Sequence, residues 1–212
     1  MLNLLVKGGP VLWFLILISF VVIAVVIERI LFFRRLGGDE EKLFQHLSSS
    51  LEKGHFEEAL AICDHAVSPL GSLVKAGIEH RGYADSSLKE IMEDAVNQET
   101  PRLERNLSIL ETIAHIGPLL GLLGTVTGTM NAFGILGAFG AVSDPTILAK
   151  GISEALITTV AGICVAVPSV IFYNYFQGRV NRILLRLEHQ VNEIILLIVS
   201  NRKNKTPSEE EA

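Results

Sequence analysis

The stretch TIAHIGPLLGLLGTVTGTMNAFGILGAFGAVS, residues 112–143, runs for 32 positions without an Asp, Glu, Lys or Arg. A helix of about 20 such residues crosses a hydrocarbon core about 30 Å thick, so this segment is long enough to span a membrane. Two more charge-free runs accompany it, 20 residues between Lys7 and Glu28 and 24 between Glu154 and Arg179. The chain therefore reads as three spans rather than as a soluble globular domain. Its averages hide this, because the apolar fraction is 49% and the formal charge −5. Acidic residues (23) outnumber basic ones (18), and the basic residues form no long stripe, which argues against a nucleic-acid partner. Cys63 and Cys164 offer neither a disulfide framework nor a metal-ligand spacing. They read as small buried packing residues, and no metal or cofactor is expected.

The first run is not a cleaved signal by its own features. Val11 to Ile27 exceeds a usual signal core, no small-x-small cleavage site follows, and the chain continues through Glu28 and Arg29 into further apolar residues. It is expected to be a retained span. Arg29, Arg34, Arg35, Arg102, Arg105, Arg179, Arg182 and Arg186 flank one set of span ends, against Lys7 and Lys150 at the other, a bias of eight to two. Basic residues mark the cytoplasmic side. The expected layout is an outer segment at 1–10, span 1 at 11–33, a cytoplasmic helical region at 34–111, span 2 at 112–140 and a short outer loop at 141–146. Span 3 at 147–177, a cytoplasmic helix at 178–200 and a disordered tail at 201–212 complete it.

The stretch between the first two spans shows no strand alternation, so the fold class is all-α. Asp39 can cap a helix with Leu43, Phe44, Leu47 and Leu51 on one face and Gly54 as its stop. Phe56, Leu60 and Cys63 continue the pattern until Ser68 and Pro69 interrupt it. Asp85 opens a run through Leu88, Ile91 and Met92 that Pro101 should kink or break. The acidic residues here form a solvated face. Asp144 and Pro145 make a cap and first-turn pair for the last helix. Unbroken to Ser200, that helix would measure about 84 Å, so its lower part must stand in the cytoplasm. There Val180, Leu184, Leu187, Val191, Ile194 and Ile198 recur at alternating spacings of 4 and 3, the pattern of a coiled-coil or bundle seam.

Two spans carry unusual polar composition. Gly117, Gly121, Gly124 and Gly128 form one narrow stripe that lets another backbone approach, and the stripe and the seam together present surfaces for a second copy of the chain. Thr125, Thr127, Thr129, His115 and Asn131 share that span, although membrane threonines often satisfy themselves on their own helix. Glu154 is the stronger signal, since a carboxylate at mid-membrane costs about 2.5–3.5 kcal/mol and normally faces a bundle interior, a partner or water. Thr158 follows one turn on, with Thr159 beside it.

The run 107–133 (LSILETIAHIGPLLGLLGTVTGTMNAF) followed by 151–174 (GISEALITTVAGICVAVPSVIFYN) closely resembles the ExbB/TolQ branch of the MotA/TolQ/ExbB proton-channel proteins. The matching pieces are Gly-Pro-x-x-Gly-Leu-x-Gly-Thr-Val-x-Gly from Gly117, Gly-Ile-x-Glu-Ala-Leu from Gly151, and Pro168 to Asn174. Pieces around Cys63, Ser68 and Pro69 and around Ala76, Gly77 and Ile78 are also similar. The resemblance implies a multi-pass subunit of the bacterial inner membrane, a homo-oligomer and specifically a pentamer, around a single-span partner similar to ExbD or TolR. It further implies proton-driven work on a TonB-like or TolA-like protein. Carried over by motif, Thr125, Glu154 and Thr159 line the ion route, with Thr129, Thr158 and His115 accessory to it. Gly117, Pro118, Gly121, Gly124, Gly128 and Pro168 are helix-packing positions. The sequence departs from the family at Thr127, where tryptophan is frequent, and at His115, where a small residue is commoner.

No Gly-x-Ser-x-Gly elbow is present, and the glycine-rich span lacks the lysine a phosphate loop needs, so no enzyme is expected. Two other readings stand beside the channel. One is a non-conducting oligomeric membrane scaffold, in which Glu154 only packs. The other is a flagellar-stator-like subunit, a branch that usually has four spans and a larger cytoplasmic loop.

Overall fold

A computed structural model describes residues 9–36, 40–66, 68–139 and 145–205 of the 212. Among them lie seven α-helices and no strand: α1 (Gly9–Leu36), α2 (Glu40–Glu52), α3 (Phe56–His65), α4 (Pro69–Glu79), α5 (Asp85–Glu104), α6 (Leu107–Phe139) and α7 (Pro145–Lys205). Three of the helices are long and apolar enough to cross a membrane, and they are α1, α6 and α7. Pro118 and Pro168 lie inside α6 and α7, which stay helical through them. The Asp39 and Asp144 caps and most of the expected loop at 141–146 fall outside the described residues.

The chain divides into two compact units, Met1–Arg29 with Asn106–Gln177 and Ile30–Arg105 with Gly178–Ala212. In the first, α1 buries Leu12, Leu15, Ile18, Val22 and Val26 along one stripe and leaves Trp13, Phe14, Leu17 and Phe20 exposed. A helix apolar all round but buried on one side suits hydrocarbon on the other. Arg29 is 1% exposed, and its Nε and Nη2 each donate to the Glu28 carboxylate at 2.6 Å. Asn106 Nδ2 also donates to Glu28 Oε2, at 3.4 Å. Asn106 has φ +63°, a left-handed conformation that asparagine tolerates better than most residues, and it separates α5 from α6.

In the second unit α2, α3, α4 and α5 pack in succession. Their core gathers Leu47, Leu51, Leu70, Leu73, Ile78, Leu88 and Met92 with Leu187, Val191, Ile194 and Ile198 of α7. The 4-3 seam of α7 is thus consumed within the chain. Gly54, at φ +71°, follows α2 where a stop was expected. Sequence reading treated Ser68 and Pro69 only as an interruption, yet they start α4. The Ser68 hydroxyl accepts from Leu70 N at 3.3 Å and proline occupies the first turn. Pro101 does not break α5, which continues to Glu104. Cys63 is buried, and desolvation, with Asp64 adding to it, pushes its thiol up to about 11. Cys164 corrects the expectation of burial, because it is exposed.

Of the tail expected to be disordered from Asn201, the part to Lys205 instead continues α7, and residues 206–212 lie outside the described residues. Asn201 Nδ2 donates to Leu51 O at 2.5 Å and to Leu197 O at 3.1 Å, and Arg202 pairs with Asp85. These tertiary bonds extend the helix past its apolar pattern.

Glu40 is 7% exposed, with Arg186 Nη1 3.8 Å from its carboxylate and Ser68 Oγ donating to it at 3.5 Å. Burial raises its pKa, and Arg186 and Ser68 only partly offset this. The folded state therefore holds this proton to higher pH than the unfolded chain does. Stability falls as pH rises from the ordinary glutamate value through the raised one. Glu40→Gln should remove that fall and raise Tm by a few degrees at pH 7, with little change at pH 4. Thermal unfolding of the detergent-solubilised protein at both pH values measures it, and a lower Tm at pH 7 would show that Arg186 outweighs burial.

Candidate functional site

The glycine stripe of α6 faces α7 of the same chain. A Cβ on Gly117 would lie 3.1 Å from Gly162 O, on Gly121 2.9 Å from Thr159 Cα, on Gly124 2.6 Å from Thr158 Cβ, and on Gly128 2.9 Å from Ala155 Cβ. Gly151 and Gly162 answer from α7, where a Cβ would meet Ala132 Cβ at 2.6 Å and Gly117 O at 2.5 Å. Real Cβ atoms essentially never come within 3.0 Å of such neighbours, so Gly121, Gly124 and Gly128 of α6 and Gly151 and Gly162 of α7 must be glycine for the seam to close, while a Cβ on Gly117 would require its neighbours to give by a few tenths of an ångström. The expectation that the stripe serves a second copy is corrected here. The surface is already covered by α7.

Close approach brings hydroxyls and carbonyls of the two helices together. Thr125 Oγ1 and Thr159 Oγ1 share a hydrogen bond across the seam. Thr125 Oγ1 also reaches Ala155 O at 3.1 Å and Gly121 O at 3.3 Å, and Thr159 Oγ1 reaches Gly121 O at 3.1 Å. A hydroxyl has one proton and two lone pairs. The two protons can satisfy the pair in either direction: one hydroxyl donates to its partner while the other donates to a carbonyl. Both threonines are half-buried, at the edge of the seam.

Glu154 is half-buried and does not join them. It precedes Thr159 by five residues, which is about 140° round a helix. It shares its face with Thr158, which is 2% exposed and donates to Ala155 O at 2.7 Å. A cavity of about 110 Å³ on that side is lined by Glu154 and Thr158 together with Thr127 and Asn131 of α6 and Pro10 of α1. The three residues assigned to one ion route thus fall into a hydroxyl pair on one edge of the seam and a carboxylate on the other.

The accessory positions are placed as follows. Thr129 Oγ1 donates to Thr125 O at 2.8 Å and Val126 O at 2.9 Å, a local back-bond. His115 is exposed, with Nδ1 2.8 Å from Glu111 O, and Pro118 is exposed too. Pro168 is half-buried. Sequence reading noted Thr127 and Asn131 and gave them no site role. Their spacing of four, on the helix face of Gly124 and Gly128, was the available signal. Among the described residues no three His, Cys, Asp or Glu side chains gather as a metal site.

A model of the MotA/TolQ/ExbB proton channel family matches residues 65–189. The ExbB-like 1 protein of Synechocystis sp. is 34% identical over 194 residues, covering 90% of this chain and 72% of that protein. Biopolymer transport protein exbB1 of Vibrio cholerae serotype O1 is 34% identical over 180 residues, 74% of this chain and 75% of the relative. Tol-Pal system protein TolQ of Haemophilus influenzae is 38% identical over 114 residues, 53% of this chain and 49% of the relative.

Proposed function

The chain belongs to the MotA/TolQ/ExbB proton channel family, in its ExbB/TolQ branch, and on that premise we propose that it is the channel-forming subunit of a proton-driven motor in a bacterial inner membrane. It works as a homopentamer around a single-span partner similar to ExbD or TolR. The complex passes force to a TonB-like or TolA-like protein, in biopolymer transport or envelope maintenance. The N-terminus lies on the periplasmic side and the C-terminus in the cytoplasm.

One observation carries this reading: the Thr125–Thr159 hydroxyl pair, bonded across two membrane-spanning helices and able to reverse its donor direction. Such a pair can hand a proton to a partner's carboxylate or a bridging water without a fixed charge in the pore. One elementary charge crossing 100 mV yields about 2.3 kcal/mol, enough to bias a protonation-linked step about fiftyfold. Glu154 supplies the titratable group near the start of α7.

The test uses the complex of this chain with its single-span partner, reconstituted in liposomes with an imposed potential. Thr125→Val and Thr159→Val keep shape but remove the hydroxyl. Each should lower potential-driven proton uptake roughly three- to tenfold, with the oligomer unchanged by native mass spectrometry. Wild-type uptake in both variants would overturn the relay, and the scaffold reading would replace it.

A further inference from the structure

The face of α6 that points away from the glycine seam changes character along its length. Leu119, Leu122, Val126 and Met130 are exposed on it, whereas its first turns carry Ser108, Glu111, Thr112 and His115, all exposed as well. His115 stands two residues before Gly117, about 200° round the helix, so it is turned away from α7. Ionisable side chains within a span face a bundle interior or water rather than hydrocarbon. The polar start of this face is therefore a water-lined patch at the end of α6 that begins next to Asn106.

The ring of His115 is held in one tautomer. Nδ1 lies 2.8 Å from Glu111 O, and a carbonyl only accepts, so the neutral ring carries its proton on Nδ1. Nε2 is then the single basic atom, and among the described residues nothing bonds to it. Thr112 has spent its hydroxyl proton on Ser108 O at 2.7 Å and offers lone pairs to water. Glu111, one turn back on the same face, has no side-chain partner among the described residues. The neighbouring helices bring no competing charge. α7 has none between Glu154 and Arg179. On α1 the nearest is Glu28, which pairs with Arg29 and accepts from Asn106, nine residues before His115.

We propose that His115 is a proton-transfer group at the cytoplasmic mouth of the channel, with Glu111 as its counter-charge. Imidazole is the side chain suited to taking and giving protons near neutrality. The Nε2 lone pair takes a proton from hydronium, which leaves as water, and the ring becomes imidazolium. It then loses the Nε2 proton to the Glu111 carboxylate or to a buffer base, which restores the lone pair and the starting tautomer. Thr125 lies ten residues further on, about 15 Å along the axis, so water or the partner's carboxylate carries the proton between them. The proposal rests on the channel reading and adds that release into the cytoplasm has a titrating group of its own, apart from the hydroxyl pair.

The test uses the complex with its single-span partner in liposomes, cytoplasmic ends inward, under an inside-negative potential. His115→Gln keeps an N–H for Glu111 O and has no basic atom, and His115→Ala removes both. Each should slow proton uptake at least threefold when the lumen is weakly buffered, with the complex recovered intact by native mass spectrometry. A zwitterionic buffer of near-neutral pKa that does not cross lipid, trapped in the lumen, should return both variants to the wild-type rate measured in the same buffer, because a mobile base replaces the lost one. Wild-type uptake by His115→Gln in weak buffer overturns the proposal. So does a loss that the buffer leaves in place, which marks a structural role. Thr125→Val separates this step from the channel reading, since its loss should persist at every buffer concentration. If Thr125→Val slows uptake and neither His115 variant does, the channel reading stands and the release step proposed here falls.

Discussion

Gly121→Leu is expected to leave almost no folded protein in the membrane, with accumulation falling at least tenfold and the remainder open to protease. The cause is local and unforgiving. Even a methyl at this position would meet Thr159 Cα at 2.9 Å and Thr158 O at 3.0 Å, both backbone atoms that cannot rotate away. Overpacking a well-filled interior costs about 1–3 kcal/mol where side chains can adjust, and more where only backbone is available to move. Separating α6 from α7 also takes from the Gly121 carbonyl the two hydroxyls that reach it across the seam, Thr159 at 3.1 Å and Thr158 at 3.4 Å. Gly121→Ala should show an intermediate loss. Gly134→Leu is the matched control, because nothing lies within 4 Å of a Cβ there and the helix continues past it. Immunoblots of membrane fractions with and without protease compare the three. Equal accumulation of Gly121→Leu and Gly134→Leu would mean that the α6–α7 seam is not the interface that holds these helices.

Glu154→Gln is expected to insert and assemble as wild type and yet lose proton-driven work at least tenfold. Glutamine matches the side chain in size and keeps a carbonyl acceptor toward the cavity, so packing around Thr127, Asn131 and Thr158 survives. What disappears is the charge and the proton it trades. A structural role would therefore leave this variant active, whereas a titrating role would not. The readout is an energy-dependent assay in cells lacking the native gene, alongside the amount of complex recovered with its partner. Retained work at normal complex levels would mean that the carboxylate does not titrate in the cycle, and the scaffold reading would gain.

The spans and the all-α class were legible from charge-free length without strand alternation, since a lone segment in lipid satisfies its backbone polar groups only as a helix. The α7 seam was legible as a pattern, but its destination was not. A 4-3 repeat tells which face is buried and not whether Leu187, Val191 and Ile194 meet another copy or, as here, α2 to α5 of the same chain. The glycine stripe failed in the same way, because a close-approach surface does not name its partner. Ser68 and Pro69 close one apolar pattern and open α4, and the pair alone does not distinguish an ending from a start. The site residues came from motif resemblance, and their division into two groups came only with the helix phase. Thr158 and Thr159 are adjacent in sequence, yet the first turns to the Glu154 cavity and the second to Thr125.

The hydroxyl bonds of α6 also bear on the order of events during synthesis. Thr112, Thr127 and Thr129 each donate to a carbonyl three or four residues back, Thr112 to Ser108 O at 2.7 Å. They ask nothing of α7 and are settled as α6 leaves the ribosome and enters the bilayer. Thr125 can wait on Gly121 O, its own backbone, until Ala155 and Thr159 arrive. The helix therefore carries no unpaid polar debt into lipid while the next is still being translated. Lateral docking of the two becomes a second stage, reversible until the glycines close, and a chain truncated before Pro145 and released from the ribosome should already hold α6 in the membrane.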